Sequence, residues 1–194
     1  MDGATRLTAG RLRQEPRARL RALALRFTRA DSGAAAVEMA LIAMPFLLLT
    51  FGIIELALIF LLSASLENAT AEAARTIRTG QEQTGATPTP AAFKTAICNN
   101  LGWMQADCGA NLYVDVRTYA TFASVTAPQP VVNKVFNPAA LTFSPGGPGA
   151  IVVVRAYYQW SLIAPLMSQA LVQLGGGKAL ITSTATFRNE PYGS

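Results

Sequence analysis

A long apolar run near the start of the chain constrains the fold more than any other feature. Residues 39–62 comprise 24 positions, and every one is apolar or small except Thr50 and Glu55. A helix that crosses a membrane needs about 20 mostly apolar residues. The sequence therefore predicts one transmembrane helix, over residues 34–66, with a bend at Pro45 because proline removes a backbone donor. A secretory signal peptide is excluded, since the run is too long and no small-residue cleavage site ends it.

The positive charge of the chain is concentrated before this run. Residues 1–33 contain eight arginines and three acids, whereas residues 34–194 contain eight basic and eight acidic side chains. We interpret residues 1–33 as a basic cytoplasmic leader, because positive residues beside a membrane span stay on the cytoplasmic side. Leucines interleaved with the arginines also suit contact with anionic lipid. A nucleic-acid-binding protein carries its basic groups on a folded domain, so we expect no nucleic-acid partner.

The composition excludes most common catalytic and metal sites. The chain has no histidine and only two cysteines. These counts rule out Ser-His-Asp and Cys-His catalytic units, imidazole metal sites and a four-thiolate zinc site. Neither Ser-x-x-Lys nor Gly-x-Ser-x-Gly occurs in the sequence. We therefore expect no catalytic residues, no metal, no cofactor and no small-molecule substrate.

Two carboxylates accompany the apolar run and need an explanation. Glu38 lies at its near edge and Glu55 lies well inside it. An acid within a membrane costs about 2.5–3.5 kcal/mol on insertion scales, so each is a candidate functional residue. The alternative is that Glu38 only marks the interface and that Glu55 lies close to the outer leaflet.

The residues just before the span resemble the processing site of type IV prepilins. The segment is Gly33-Ala34-Ala-Ala-Val-Glu38. In prepilins a basic leader ends in glycine, a membrane aspartyl peptidase cuts after it, and glutamate is the fifth residue of the mature chain. The resemblance implies cleavage between Gly33 and Ala34. It also implies that Glu38 sets subunit register by neutralising the amine of a neighbouring subunit, with the same assembly role for Glu55.

The longer segment 33–81 resembles the TadE-like family of the tight-adherence (Tad) pilus system. The groups that carry the resemblance are Gly33 with Ala-Val-Glu38-x-Ala-Leu, Pro45, Gly52-Ile-Ile-Glu55, Glu67-x-Ala69, Glu72-Ala-Ala-Arg75 and the ending Arg188-Asn-Glu-Pro-Tyr192. Two departures separate the chain from the major Flp-type pilins. Met39 stands where an aromatic residue usually follows the glutamate, and the mature chain, residues 34–194, is far longer than the small major pilin.

The resemblance implies a minor pseudopilin-like structural component of the pilus, with roles in pilus biogenesis, adhesion and secretion. Its implied partners are the inner membrane, a prepilin peptidase, other pilins or pseudopilins and the Tad assembly platform. We expect a single-pass protein of the bacterial inner membrane with a cytoplasmic N-terminus. Residues 67–194 then form a periplasmic domain, and incorporation in a surface pilus is the alternative to remaining in the inner membrane.

The expected fold class is α+β and pilin-like: a long N-terminal membrane-spanning helix and a small C-terminal domain containing an antiparallel sheet. The helix is expected to continue as a stem over residues 67–80 and to end at Thr79-Gly80. Its apolar stripe has helical spacing and consists of Leu66, Ala69, Ala73 and Ile77. A polar linker, residues 81–90, then leads to an α+β part at 91–194.

Within that part, alternation and turn residues predict one helix and three strands. The helix is expected at 90–102, begun by Pro90. The strands are expected at 111–121, 150–160 and 179–188. Residues 127–149, which are rich in proline, are expected to form a long irregular loop.

Cys98 and Cys108 are the only thiols of the chain. On the oxidising side of a membrane such a pair favours a disulfide. A redox or metal pair is the alternative, which the nine intervening residues and the absence of histidine disfavour.

Two further functional classes compete with the pseudopilin hypothesis. A permanently anchored single-pass binding or sensor module keeps its leader and is never cut at Gly33. A periplasmic enzyme is the third class, and it is the least favoured because the sequence contains none of the motifs named above.

Overall fold

The computed structural model describes residues 31–84, 89–163 and 171–192. Most of the predicted leader, the middle of the predicted linker and residues 164–170 lie outside the described residues. The chain divides into two compact units, Met1–Leu47 and Leu48–Ser194.

Helix α1 spans Asp31–Arg78 and continues through Pro45. Among the described residues it is the one helix long and apolar enough to cross a membrane, with a mean hydropathy of 2.5 in its most apolar window. Its large apolar side chains between Val37 and Ile54 are mostly exposed, as expected of a surface that faces lipid rather than a protein core. The helix ends at the predicted position, where Gly80 adopts a left-handed φ of 78°.

The C-terminal part of α1 forms one wall of the core in the second unit. The predicted stripe is confirmed, because its members are all buried, together with Leu62 and Ala74. These side chains pack against the following helices and the inner face of the sheet. This packing gives the stem its fixed place against the domain, since burial of apolar area is the main stabilising contribution.

The described residues of the domain form five strands: β1 Leu112–Tyr119, β2 Val131–Val132, β3 Val135–Phe136, β4 Ile151–Ser161 and β5 Lys178–Arg188. Strand β4 is the centre of an antiparallel sheet with the order β1-β4-β5. In its register Val116 lies opposite Val154, and Val154 lies opposite Ala185. The α+β fold class, the long apolar helix and the three predicted strands are confirmed.

The segment predicted as an irregular loop is more ordered than expected. Strands β2 and β3 pair across Asn133 and Lys134, both with positive φ. This twist suits a two-residue hairpin, but the turn lacks the usual glycine. Further on, the backbone N–H of Val116 donates to the carbonyl of Thr142 at 2.8 Å, so this segment also covers the edge of β1.

Within the described residues, short helix α2, Gln81–Thr84, comes before residues 85–88, and the short helices α3, Pro90–Asn99, and α4, Gln105–Asn111, follow them. Helix α3 begins as predicted, and Thr89 caps it by accepting from the N–H of Ala92 at 3.1 Å. It ends at Asn99, earlier than predicted. Helix α4 was not predicted, because Gly109 and Asn111 lower the helix propensity there.

Candidate functional site

The predicted processing residues lie at the start of α1. The described part of the helix includes both residues, so the Gly33–Ala34 bond is helical. Ala34 and Glu38 are both exposed. They are four residues apart, which places them on the same face of the helix.

Glu55 has a different environment, although it lies in the same helix. Its side chain is 2% exposed. The backbone N–H of Ile163 donates to both carboxylate oxygens, at 2.9 and 3.0 Å, and the indole N–H of Trp160 donates at 3.3 Å. Hydrogen bonds to an acid are stronger than those between neutral groups. Glu55 thus ties the end of β4 and the residue beyond it to α1.

Sequence analysis missed these partners of Glu55. Trp160 and Ile163 are 105 and 108 residues further along the chain. Local periodicity contains no information on such a contact. The only available signal is the isolated acid itself, which requires polar partners wherever it is buried.

The C-terminal segment, residues 188–192, closes over the end of α1. The backbone N–H of Glu190 donates to the carbonyl of Arg78, the last residue of the helix, at 2.9 Å. The side chains of Arg78 and Glu190 also form an exposed ion pair at 3.2 Å. The ring of Tyr192 packs directly against Gly80. The C-terminal segment, which also resembles the ending of TadE-like proteins, therefore supplies a hydrogen-bond donor to a carbonyl that has no partner within α1.

Asn189 joins this segment to the loop before β4. It is 3% exposed, and its side-chain amide donates to the carbonyls of Pro145 and Gly147, each at 3.0 Å. The backbone N–H of Asn189 donates to Ala150 at 2.8 Å. The C-terminal segment is thus fixed by several bonds at once.

A buried ionic cluster lies on the outer face of the sheet. Asp115 is fully buried and accepts from Arg117 Nε at 2.9 and 3.0 Å and from Arg155 at 3.4 Å. The two arginines also donate to carbonyls of the overlying loop, at Ala140 and Thr126. Sequence alternation correctly put Asp115 and Arg117 on one face, but it did not show that the loop covers that face. The cluster holds the loop on the sheet.

Cys98 and Cys108 form a disulfide between α3 and α4. Next to α3 is a small, mainly apolar cavity of about 290 Å³. Lys94 lies at its edge, 5.4 Å from the centre of the Tyr113 ring, and burial lowers the pKa of its amine. Within the described residues, no group of three or more carboxylate, thiol or imidazole side chains is placed to hold a metal ion. Among the described residues that line the cavity, Lys94 is the only one with a charged side chain.

Comparison with known protein families gives a match to part of helix α1. Residues 33–75 match the family model described as TadE-like protein. No curated protein and no solved structure matches the chain. The matched segment lies within α1 and includes both Glu38 and Glu55. The resemblance found in the sequence is thus confirmed, and residues 33–75 are a TadE-like domain of the kind associated with Tad pilus systems.

Proposed function

We propose that the chain is a minor pseudopilin-like structural component of a Tad pilus, cut after Gly33 by a prepilin peptidase. The observation that carries the proposal is the exposed Glu38, four residues beyond Ala34 at the start of an apolar membrane-length helix. The basic residues of the leader and the TadE-like match over residues 33–75 support it.

In this proposal the helix acts twice, as a membrane anchor and as a packing element between subunits. Cleavage creates an amine at Ala34. The Glu38 carboxylate of one subunit neutralises the amine of its neighbour, because the attraction between the charges offsets part of their desolvation cost in a low-dielectric environment. The exposure of Glu38 leaves its carboxylate accessible to a second chain. This pairing sets the register of the subunits.

Glu55 acts in assembly through its own domain. Its carboxylate holds the end of β4 against α1, so it fixes how the outer domain sits beside the helix that packs in the assembly. Loss of this bond changes the surface that each subunit presents to its neighbours. The role predicted for Glu55 thus becomes one of positioning.

The proposed topology places the leader in the cytoplasm, residues 34–66 of α1 in the inner membrane and residues 67–194 in the periplasm. The Cys98–Cys108 disulfide supports this orientation, because such bonds persist in oxidising compartments. The proposed partners are the prepilin peptidase, other pilins or pseudopilins and the Tad assembly platform. Pilus biogenesis, adhesion and secretion are the processes in which the protein takes part.

The test is the intact mass and N-terminal sequence of the membrane-extracted chain, made with and without a prepilin peptidase. We expect a new N-terminus at Ala34, and we expect Gly33→Leu to abolish it. Ala40→Leu, in the same helix but beyond the site, is the matched control and should be cut normally.

A chain that stays uncut beside a peptidase active on another prepilin would contradict the proposal. The permanently anchored binding or sensor module would then be favoured.

A further inference from the structure

We propose that the outer domain docks on the membrane that anchors it, through an apolar tip formed by Trp103, Trp160 and Ile163. The occupant of this surface is the interfacial layer of the bilayer, where headgroups meet acyl chains. The inference rests on membrane anchoring by α1 but not on cleavage, register or entry into a pilus.

The first argument is the position of the tip along α1. Trp160 and Ile163 bond to Glu55, whereas the rest of the domain packs on the helix from Leu62 onward. Within the described residues, the tip is therefore the part of the domain that contacts α1 closest to its apolar N-terminal part.

The second argument is that the apolar helix surface continues beyond Glu55. The run 39–62 has 24 residues, about 36 Å of helix, which exceeds the ~30 Å hydrocarbon core. Phe60 is 72% exposed and Leu61 is 52% exposed, although both follow Glu55. The helix surface is thus still apolar just beyond Glu55, where the tip contacts α1. The boundary of the bilayer falls in this stretch.

The third argument is the chemistry of the exposed groups. Ile163 is 70% exposed and Trp103 is 50% exposed. The Trp103 and Trp160 rings contact edge to face, with centroids 6.3 Å apart. Tryptophan is enriched at membrane interfaces because its ring is apolar and its N–H is polar. Both tryptophans of the chain lie in this tip.

The fourth argument is that the indole N–H of Trp160 and the backbone N–H groups of Leu162 and Ile163 already have partners. Glu55 accepts from the Trp160 indole and from the Ile163 backbone, and the N–H of Leu162 donates to Gly177 at 3.1 Å. These donors enter a low-dielectric layer without losing hydrogen bonds. Lys178 lies opposite Ser161 in the sheet, and its long side chain can reach anionic headgroups while its methylene groups stay among apolar ones.

The experiment uses the full chain, one copy per nanodisc of phosphatidylcholine and phosphatidylglycerol. The lipids carry bromine either near the headgroup or near the chain end, and iodide probes access from water. The variants W160F and W103F each leave one tryptophan to report. We expect strong quenching by shallow bromines, weaker quenching by deep ones and little quenching by iodide.

A second pair of variants separates docking from general packing. Ile163→Asp should reduce lipid quenching of Trp103 and raise quenching by iodide. Val135→Asp changes an equally exposed apolar residue, 65% exposed, on the β2–β3 hairpin, and it should change neither. Equal effects of the two variants would overturn the proposal.

Two other results would also overturn it. One is tryptophan fluorescence that is quenched by iodide but not by the brominated lipids. Vesicle flotation must show for the same chains that the helix is inserted. The other is shielding of the tip only when several copies share a disc, because a neighbouring chain rather than lipid would then cover it. A chain that docks but is never cut at Gly33 would refute the proposed function and leave this inference intact.

Discussion

Two acids in one apolar helix have opposite environments. Glu38 is exposed, whereas Glu55 is buried and accepts hydrogen bonds from its own domain. In the sequence the two acids look equivalent, because both accompany the same apolar run. Glu55 makes its contacts within the chain, and the exposure of Glu38 is consistent with the contacts proposed for it with other chains.

The first prediction concerns Glu38→Ala. Cleavage after Gly33 should be unchanged, because the substitution lies one helical turn beyond the bond, whereas recovery in a sheared pilus fraction should fall strongly. The readouts are the N-terminal sequence and the amount of the chain in that fraction. Glu72→Ala is the matched control: it removes an exposed acid from the same helix that pairs only locally with Arg75, at 3.1 Å, and should assemble normally. Normal assembly of Glu38→Ala would exclude the register role.

A buried hydroxyl supplies the second prediction. Thr70 is fully buried, and its Oγ1 has no hydrogen-bond partner within the part of the chain that the structure describes. Thr70→Val keeps the shape and removes the unsatisfied group, so it should stabilise the fold by about 1 kcal/mol. Thr76→Val is the control and should destabilise, because the Thr76 hydroxyl donates to Ala73 at 2.7 Å. Thermal unfolding of the detergent-solubilised chain measures both. Destabilisation by Thr70→Val would show that its hydroxyl is bonded.

The contact between α1 and the C-terminal segment depends on a residue without a side chain. Gly80 has a φ of 78°, and an added Cβ would collide with the Tyr192 ring. Gly80→Ala should therefore destabilise by about 1–2 kcal/mol from the backbone alone, with a further loss from displacement of Tyr192. Thermal unfolding of the detergent-solubilised chain measures the loss.

The matched control is Gly109→Ala in α4, where an added Cβ meets nothing within 4 Å. It should be neutral or stabilise by about 0.5–1 kcal/mol. Combining Gly80→Ala with Tyr192→Ala should relieve the steric part of the loss. If the losses of the two variants were simply additive, the ring would not be the cause.

The disulfide between α3 and α4 gives the fourth prediction. It closes a short loop, with a separation of 10 residues, so the double variant Cys98→Ala, Cys108→Ala should lose about 3 kcal/mol of stability. Native protein should also resist thiol alkylation until a reductant is added. Each single alanine variant, with one free thiol, is the control and should be labelled once unfolded without reductant. Ready labelling of the unreduced, unfolded native chain would show that the bond is absent.

The elements with a regular apolar periodicity were predicted from the sequence. Prediction failed for elements whose order depends on contacts with distant residues. Helix α1 and strands β1, β4 and β5 have long, regular patterns. The β2–β3 hairpin has two-residue strands and a turn of Asn133 and Lys134, so no local pattern reveals it.

The same limit applies to the candidate site. Gly33, Ala34 and Glu38 could be proposed because their spacing is local, and their role stays a prediction. The partners of Glu55 and the burial of Asp115 follow from tertiary contacts, which spacing along the chain cannot show.

A single carboxylate joins the end of β4 to the membrane helix. In Glu55→Ala the N–H of Ile163 loses its acceptor, and a hydrogen bond to a charged group contributes about 1.5–3 kcal/mol. Hydrogen exchange of the Ile163 amide should therefore accelerate by about tenfold or more. Glu55→Gln keeps one acceptor oxygen and should show a smaller increase.

The internal control for Glu55→Ala is the amide of Asn189, which donates to Ala150 at 2.8 Å at the other end of β4 and should exchange unchanged. Acceleration confined to Ile163 would show that Glu55 positions the tip alone. Equal acceleration at Asn189 would show that the whole domain is destabilised, and the positioning role would then be wrong. Because the domain core packs on α1 from Leu62 onward and does not include Glu55, we expect the confined response.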